Sequence, residues 1–272
     1  MDTRKDLARF LAEDINKGDI TSAILSTKKI TARIVARQSG IVAGTKHIRE
    51  IFAMSGCNAQ ILKKDGNTIK EDQAVLRITG PAKSILSCER TALNLLSRMS
   101  GIATATNELV RQIKSVSKKT ELYSTRKTAP GLRLFDKEAV EIGGGKKHRI
   151  TLSDMIMIKD NHIASEGSLI SLIKKAKKKA KIFEVEVDTR EDAVLAASLG
   201  VPIIMLDNFS PIMIRQTIAD LQKMGLRKST RLEASGGINA KNIKDYARTG
   251  VDMISVGSIT NSVQAIDFSL EI

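Results

Sequence analysis

From about residue 105 onward, short apolar runs alternate with segments of helical periodicity, and this alternation constrains the fold more than any other feature. The runs centre on Leu122, Met155–Ile158, Phe183–Val187, Ile203–Leu206, Leu232–Ala234 and Met253–Val256. Between them, Leu134–Ile142, Leu169–Lys179, Arg190–Leu199, Pro211–Met224 and Ala240–Arg248 carry apolar residues at helical spacing. Gly200 and Gly250 stand where C-terminal caps belong, and Asn239 where an N-cap belongs. Such alternation means parallel strands with right-handed crossovers, in a doubly wound sheet or a barrel. The polar residues favour the barrel. Almost every run ends in a chemically loaded residue: Thr125 and Arg126, Lys159, Glu186 and Asp188, Asp207, Ser235, Gly257. In a parallel barrel those ends meet at one mouth.

The chain before that point has a different texture. Residues 28–43 read as extended, with Ile30, Ala32, Ile34 and Ala36 alternating with polar neighbours. A helix is predicted over Thr45–Met54, then strands near Asn58–Leu62 and Ala74–Ile78, separated by the turn residues Asp65, Gly66 and Asn67. Residues 82–118 read as two successive helices broken near Ser100 and Gly101. The expected organisation is an α+β domain over 1–104, an α/β barrel over 105–260, and a tail, 261–272, packed on the first domain.

A net charge of +14 points to anionic partners without naming them. The densest basic run, 174–181, lies opposite Leu169, Ile173, Ala176 and Ala180 at helical spacing and is read as a solvated face. With 3% aromatic residues the chain offers little for base stacking, so nucleic acid is not the expected partner. Cys57 and Cys88 show neither a disulfide framework nor metal spacing. There is no apolar stretch of membrane-spanning length and no signal-peptide core, so a cytoplasmic protein with no membrane partner is expected.

Chemistry concentrates in 124–131 (STRKTAPG), 143–149 (GGGKKHR) and 158–162 (IKDNH). Arg126, Lys127, His148, Arg149 and Lys159 all fall at element ends and outside apolar runs, which suits them to hold a multiply anionic ligand. In 184–188 (EVEVD) the acids share one strand face, so Glu186 and Asp188 are expected to point into the mouth, joined by Asp207 from the next strand. Carboxylates among cations fit a divalent metal with its polyphosphate, or a developing positive charge. Pairing of those acids with Arg126, Lys127 or Lys159 is the structural alternative. Residues 233–238 (EASGGI) and 255–258 (SVGS) are glycine turns on the last two strands, suited to a phosphate. His148 is expected to face the ligand, while His162 fits a structural role equally well.

These ordered motifs, with 14–22 (DINKGDITS), 39–44 (SGIVAG), 89–94 (ERTALN) and 100–104 (SGIAT), resemble the quinolinate phosphoribosyltransferase family nearly end to end. The resemblance implies an N-terminal α+β domain, an incomplete seven-stranded α/β barrel, and a homodimer or higher assembly with active sites shared between subunits. It implies transfer of the phosphoribosyl group of phosphoribosyl pyrophosphate to quinolinate with decarboxylation, assisted by Mg2+. By resemblance, Arg90 reaches the neighbouring subunit's quinolinate, and Arg126, His148, Arg149 and Lys159 surround the two carboxylates. Lys127, Glu186 and Asp207 are the implied catalytic residues near pyrophosphate, ribose and metal, with Glu186 and Asp207 as metal ligands. Ser235, Gly236 and Gly257 are the implied phosphate cradle. Ile150 and Thr151 depart from the family, which more often has a glycine before Leu-Ser-Asp. The alternatives are a related pyrophosphorylase-like transferase acting on another anionic ring, or a basic nucleic-acid-binding protein.

Overall fold

The computed structural model describes residues 3–272. They fall into two compact units, neither a single run of chain. The first gathers the chain as far as Asn107 with Thr128–Gly144 and Ile259–Ile272; the second holds Glu108–Lys127 and Gly145–Ser258.

The first unit begins with helix α1 (Thr3–Ile15), which buries Leu7 and Leu11 one turn apart. Strand β1 (Lys29–Ala36) and the short β2 (Gly40–Ile41) follow. Helix α2 (Thr45–Met54) has the predicted bounds, because Ile48, Ile51 and Phe52 make one apolar face and Asp65 closes its start. The Thr45 backbone N–H and hydroxyl donate to the Asp65 carboxylate at 2.8 and 2.9 Å. Strands β3 (Asn58–Ile61), β4 (Thr68–Ile69) and β5 (Ala74–Pro81) lead into α3 (Ala82–Lys114).

Helix α3 runs unbroken for 33 residues, contrary to the expected break at Ser100 and Gly101. Those residues serve close packing. A Cβ at Gly101 would stand 2.2 Å from the Gln264 carbonyl oxygen, so glycine there admits another backbone. The Ser100 hydroxyl accepts the Ala43 N–H at 3.0 Å. A Gly/Ser pair is a common kink site, and here packing on both residues carries the helix through it.

The second unit opens with β6 (Glu121–Tyr123). The chain then returns to the first unit for α4 (Arg133–Ile142), where fully buried Asp136 accepts two hydrogen bonds from the Arg98 guanidinium at 2.7 and 2.9 Å. Alternation resumes with β7 (Ile156–Ile158), α5 (Asp160–Glu166), α6 (Leu169–Lys179), β8 (Phe183–Val187) and α7 (Arg190–Ser198). It ends with β9 (Ile203–Asp207), α8 (Pro211–Lys223), β10 (Arg231–Ser235), α9 (Ile243–Ala247), β11 (Met253–Ser255) and α10 (Ser258–Asn261). The N-cap of α9 is Asn242, not Asn239, whose carbonyl accepts the Ile243 N–H at 3.0 Å. Strand β12 (Phe268–Glu271) closes the chain beside β1, giving an antiparallel sheet ordered β12-β1-β5-β3, with β2 and β4 forming a separate pair. No helix of the described residues is long and apolar enough to cross a membrane.

The second unit is built on a parallel sheet ordered β6-β11-β10-β9-β8-β7. It has six strands rather than the seven implied by resemblance. The seventh place is held by Lys146 alone, in a single parallel bridge to Tyr123. Glycines at 143–145 and the polar chain after them give that segment no apolar run with which to continue as a strand. Register sets what faces inward. Glu186 and Glu233 both lie opposite Met205, and Ser235 lies opposite Asp207. By the two-residue period Glu184, Glu186, Met205, Asp207, Glu233 and Ser235 therefore share one face, while Val185, Val187, Ile204, Leu206 and Leu232 are buried on the other.

Candidate active site

At the C-terminal ends of these strands lies a cavity of about 420 Å3, contained within the second unit. Arg126 and Lys127 enter it after β6, Lys159 after β7, Glu186 from β8, Asp207 from β9 and Ser235 from β10. His148 and Arg149 reach it from the loop before β7. One mouth thus gathers eight of the residues singled out from the sequence, because parallel strands deliver their ends to one side of the sheet.

Two of the cations, Arg126 and Arg149, face the cavity with no carboxylate ion pair among the described residues. Arg126 keeps its Nε buried with no hydrogen-bond partner. The Arg149 guanidinium donates to the Met155 carbonyl at 3.2 Å and to Met157 Sδ at 3.0 Å, and is in an ion pair with no carboxylate among the described residues. Burial first, and then the neighbouring Arg126 charge, push its pKa below the ordinary arginine value. Asp154 braces the loop that follows, accepting the backbone N–H groups of Ile150 and Thr151 at 2.8 and 3.0 Å. The unusual Ile150 and Thr151 are accommodated in that turn.

The acids divide into two kinds. Glu186, at the rim, is ion-paired with Lys159. That pairing is the structural alternative drawn from the sequence, and here it involves two residues expected to meet ligand. Asp207 accepts from the Asn208 side-chain amide at 2.7 Å. Asn208 holds a left-handed φ of 56°, and Gly236 makes room for it: a Cβ there would stand 2.2 Å from Asn208 Oδ1. Gly236 and Gly257 do not line the cavity: Gly236 stands against Asn208, and Gly257 against Lys127 and Thr125, which do line it. A Cβ at Gly257 would come within 3.1 Å of the Lys127 stem. Asp188, expected in the mouth, lies exposed past the end of β8 and is not among the residues lining the cavity.

Deeper sit two acids that sequence reasoning passed over. Glu184 and Glu233 are fully buried, and their carboxylates lie 3.3 and 3.1 Å from His148 Nε2. Burial, and after it the Glu233 charge, raise the Glu184 pKa to about 7. Burial alone would lower His148, yet the two carboxylates outweigh it and raise its pKa to about 9. The Arg149 backbone N–H, however, donates to His148 Nδ1 at 2.8 Å, which leaves only Nε2 to carry hydrogen. That hydrogen is directed at the two buried carboxylates. The sequence signal was available: an acid two residues before a rim acid on the same strand lies one layer deeper.

His162 is exposed, and its Nδ1 accepts the Lys159 backbone N–H at 3.0 Å, closing the start of α5. Arg90 is exposed on α3 in the first unit and lines no part of this cavity.

Comparison with known proteins identifies the family. Residues 19–100 match the N-terminal domain, and 102–271 the C-terminal domain, of quinolinate phosphoribosyl transferase. A relative from Archaeoglobus fulgidus, described as a probable nicotinate-nucleotide pyrophosphorylase (carboxylating), is 45% identical over 255 residues, 94% of this chain and 98% of its own. One of the same description from Methanothermobacter thermautotrophicus is 42% identical over 272 residues, 98% of this chain and 97% of its own. The crystal structure of nicotinate-nucleotide pyrophosphorylase from Ehrlichia chaffeensis superposes with a TM-score of 0.93 at 36% identity, covering 100% of this chain and 98% of that one. With both domains of one family matched in succession and relatives aligned almost end to end, the chain belongs to the quinolinate phosphoribosyl transferase family.

Proposed function

We infer that this protein is a carboxylating nicotinate-nucleotide pyrophosphorylase: it transfers phosphoribosyl from phosphoribosyl pyrophosphate to quinolinate, releasing pyrophosphate and carbon dioxide and forming nicotinate mononucleotide for NAD biosynthesis. The observation that carries this reading is the pair Arg126 and Arg149, which line one cavity, the first with a buried Nε that has no hydrogen-bond partner and the second in an ion pair with no carboxylate among the described residues. A pyridine with adjacent carboxylates is the dianion such a pair awaits, and each guanidinium offers a fork to one carboxylate.

The remaining residues follow from charge. Nitrogen of the pyridine ring displaces pyrophosphate from the anomeric carbon, through a state with cationic character on the ribose. Glu186 and Asp207 stabilise that cation, and Lys127 stabilises the leaving pyrophosphate. Once the ring nitrogen is quaternary, the carbon next to it loses its carboxylate as carbon dioxide, with the electron pair held beside the ring cation until a proton replaces it. Binding and orientation supply the catalysis, without a protein nucleophile. When quinolinate binds, it offers Lys159 a carboxylate in place of Glu186, releasing Glu186 toward the ribose. Ser235, and the turns at Gly236 and Gly257, receive the ribose phosphate.

The donor set fits Mg2+. Glu186 and Asp207 are hard oxygen ligands in the cavity where a polyphosphate is placed, and Mg2+ is commonly held by one or two carboxylates together with substrate phosphates. Bound there, it supplies positive charge to the departing pyrophosphate.

Two copies of the chain form the working unit in this reading. Arg90 is an exposed cation remote in sequence from the cavity residues, and the family resemblance has it complete a neighbouring subunit's quinolinate site. The buried free thiols Cys57 and Cys88 support a cytoplasmic location. The lysines of α6 are exposed opposite buried Leu169, Ile173 and Ala176, which supports a solvated face rather than a nucleic-acid surface.

Calorimetric titration with quinolinate and then nicotinate tests the site. Loss of one charge-assisted carboxylate contact weakens binding by about 2–5 kcal/mol, so nicotinate is expected to bind far less tightly. Equal affinity for the two would instead favour a related transferase for another anionic ring.

A further inference from the structure

A short chain of polar contacts ties the Arg149 loop to the interior of the parallel sheet. The Ser255 hydroxyl on β11 donates to Glu233 Oε1 on β10, and Glu233 Oε2 lies 3.1 Å from His148 Nε2. The Arg149 backbone N–H then donates to His148 Nδ1 at 2.8 Å. Both ring nitrogens of His148 are thus engaged. Its side chain is 7% exposed, and Glu233 is fully buried. Although His148 borders the cavity, it has no nitrogen to offer a ligand in this arrangement. The ring still faces the cavity, as expected from the sequence.

What the ring controls instead is Arg149. His148 has a left-handed φ of 54°, uncommon for a residue with a side chain, and this backbone turn lays the next peptide N–H on its own imidazole. Glycines at 143–145 bring no side chains to anchor the loop. The imidazole is the part of this segment that reaches into the sheet interior.

We propose that Glu233, seated by Ser255, is a positioning residue for substrate recognition: it holds His148 as the Nε2–H tautomer and, through that ring, fixes Arg149 in the cavity. The inference rests on the reading of this cavity as a quinolinate site and deepens it. A carboxylate accepts at both oxygens, so one group takes the Ser255 hydroxyl and the imidazole N–H together and fixes the ring's tautomer and direction. Neighbours that orient a ligand-binding group in this way are commonly worth one to two orders of magnitude in affinity.

The test uses the full chain and three variants, with quinolinate and phosphoribosyl pyrophosphate titrated separately. Glu233→Ala is expected to weaken quinolinate binding about 10- to 100-fold and leave phosphoribosyl pyrophosphate binding unchanged. Glu233→Gln is expected to recover most of the affinity, since its amide oxygen accepts from His148 and its amide nitrogen donates to Ser255. Ser255→Ala, which removes one contact and no charge, is expected to fall between wild type and Glu233→Ala; it also carries the test if Glu233→Ala does not fold. Nitrogen-15 spectra of the imidazoles give an independent readout: one fixed Nε2–H tautomer for His148 in the wild type, and averaging of two in Glu233→Ala. Undiminished quinolinate affinity in folded Glu233→Ala or in Ser255→Ala overturns the proposal. So does a Glu233→Gln enzyme that binds quinolinate normally but loses turnover, because Glu233 would then act in the chemistry. If the wild type itself fails to bind quinolinate, the reading of the cavity falls and this inference with it.

Discussion

Arg126 and Arg149 repel one another, and the fold keeps them together by other means: Met155 and Met157 hold the Arg149 guanidinium, and Arg126 enters the same cavity just after β6. Arg149→Ala removes a carboxylate contact, so quinolinate affinity should fall by about 2–5 kcal/mol, with phosphoribosyl pyrophosphate binding nearly intact; calorimetry on each substrate checks this. Asp207→Asn preserves volume while removing a charge. Steady-state assays at saturating Mg2+ should show kcat lower by about 10²–10³, and quinolinate binding measured alone should hardly change. Full turnover would make Asp207 a structural partner of Asn208. The rim of this site was legible in the sequence because cations and acids at strand ends have no packing role there. The floor was not. Glu184 and Glu233 sit in apolar runs, and the two-residue period identifies their face but not their depth, so Glu186 and Asp188 were expected inward at the mouth while Glu184 and Glu233 beneath it were passed over.

Elements defined by a strong apolar face were readable to the residue: α2, α6 and β8 have the predicted bounds. Elements defined by distant partners were not. Strand β12 pairs with β1 across more than two hundred residues, and α5 is largely polar, so neither carries a local signal. The expected break in α3 failed for the same reason, since Gly101 answers to the backbone at Gln264. Gly101→Ala gains about 1 kcal/mol in helix propensity. It should nevertheless lose more than that to overpacking, about 1–3 kcal/mol, because backbone cannot swing aside as a side chain can. Denaturant unfolding should therefore show net destabilisation, and a more stable variant would contradict this packing. The turn after α1 gives a pH prediction. Asp19 accepts hydrogen bonds from the Ser22 hydroxyl and backbone N–H and from the Ser87 hydroxyl, which lower its pKa from 3.8 to about 2. A depressed carboxylate stabilises the fold above its unfolded pKa and loses that contribution as pH falls through the folded value. Asp19→Asn should lower the melting temperature at pH 7, with the difference from wild type shrinking below pH 3.8 and vanishing only below about pH 2.

At the scale of the whole molecule, the proposed dimer places Arg90 from one copy at the quinolinate site of the other. Arg90→Ala and Lys127→Ala are each expected to be inactive. Mixed in equal amounts with subunit exchange, they should regain about a quarter of wild-type activity, since half the dimers are hybrids and each hybrid has one intact site of two. No recovery despite exchange confirmed by mass spectrometry would argue against shared sites. The net charge of +14 by itself left nucleic acid, membrane and small phosphates open, and the fold distributes it in two ways: α6 presents its lysines to solvent, while Arg126, Lys127, Arg149 and Lys159 converge on one cavity. The most direct test of the account supplies phosphoribosyl pyrophosphate, Mg2+ and quinolinate labelled in the carboxylate next to the ring nitrogen, then follows pyrophosphate, labelled carbon dioxide and nicotinate mononucleotide together. The account predicts the three products in equal amounts and no comparable turnover with nicotinate. Pyrophosphate release without labelled carbon dioxide, or faster reaction with nicotinate, would contradict it.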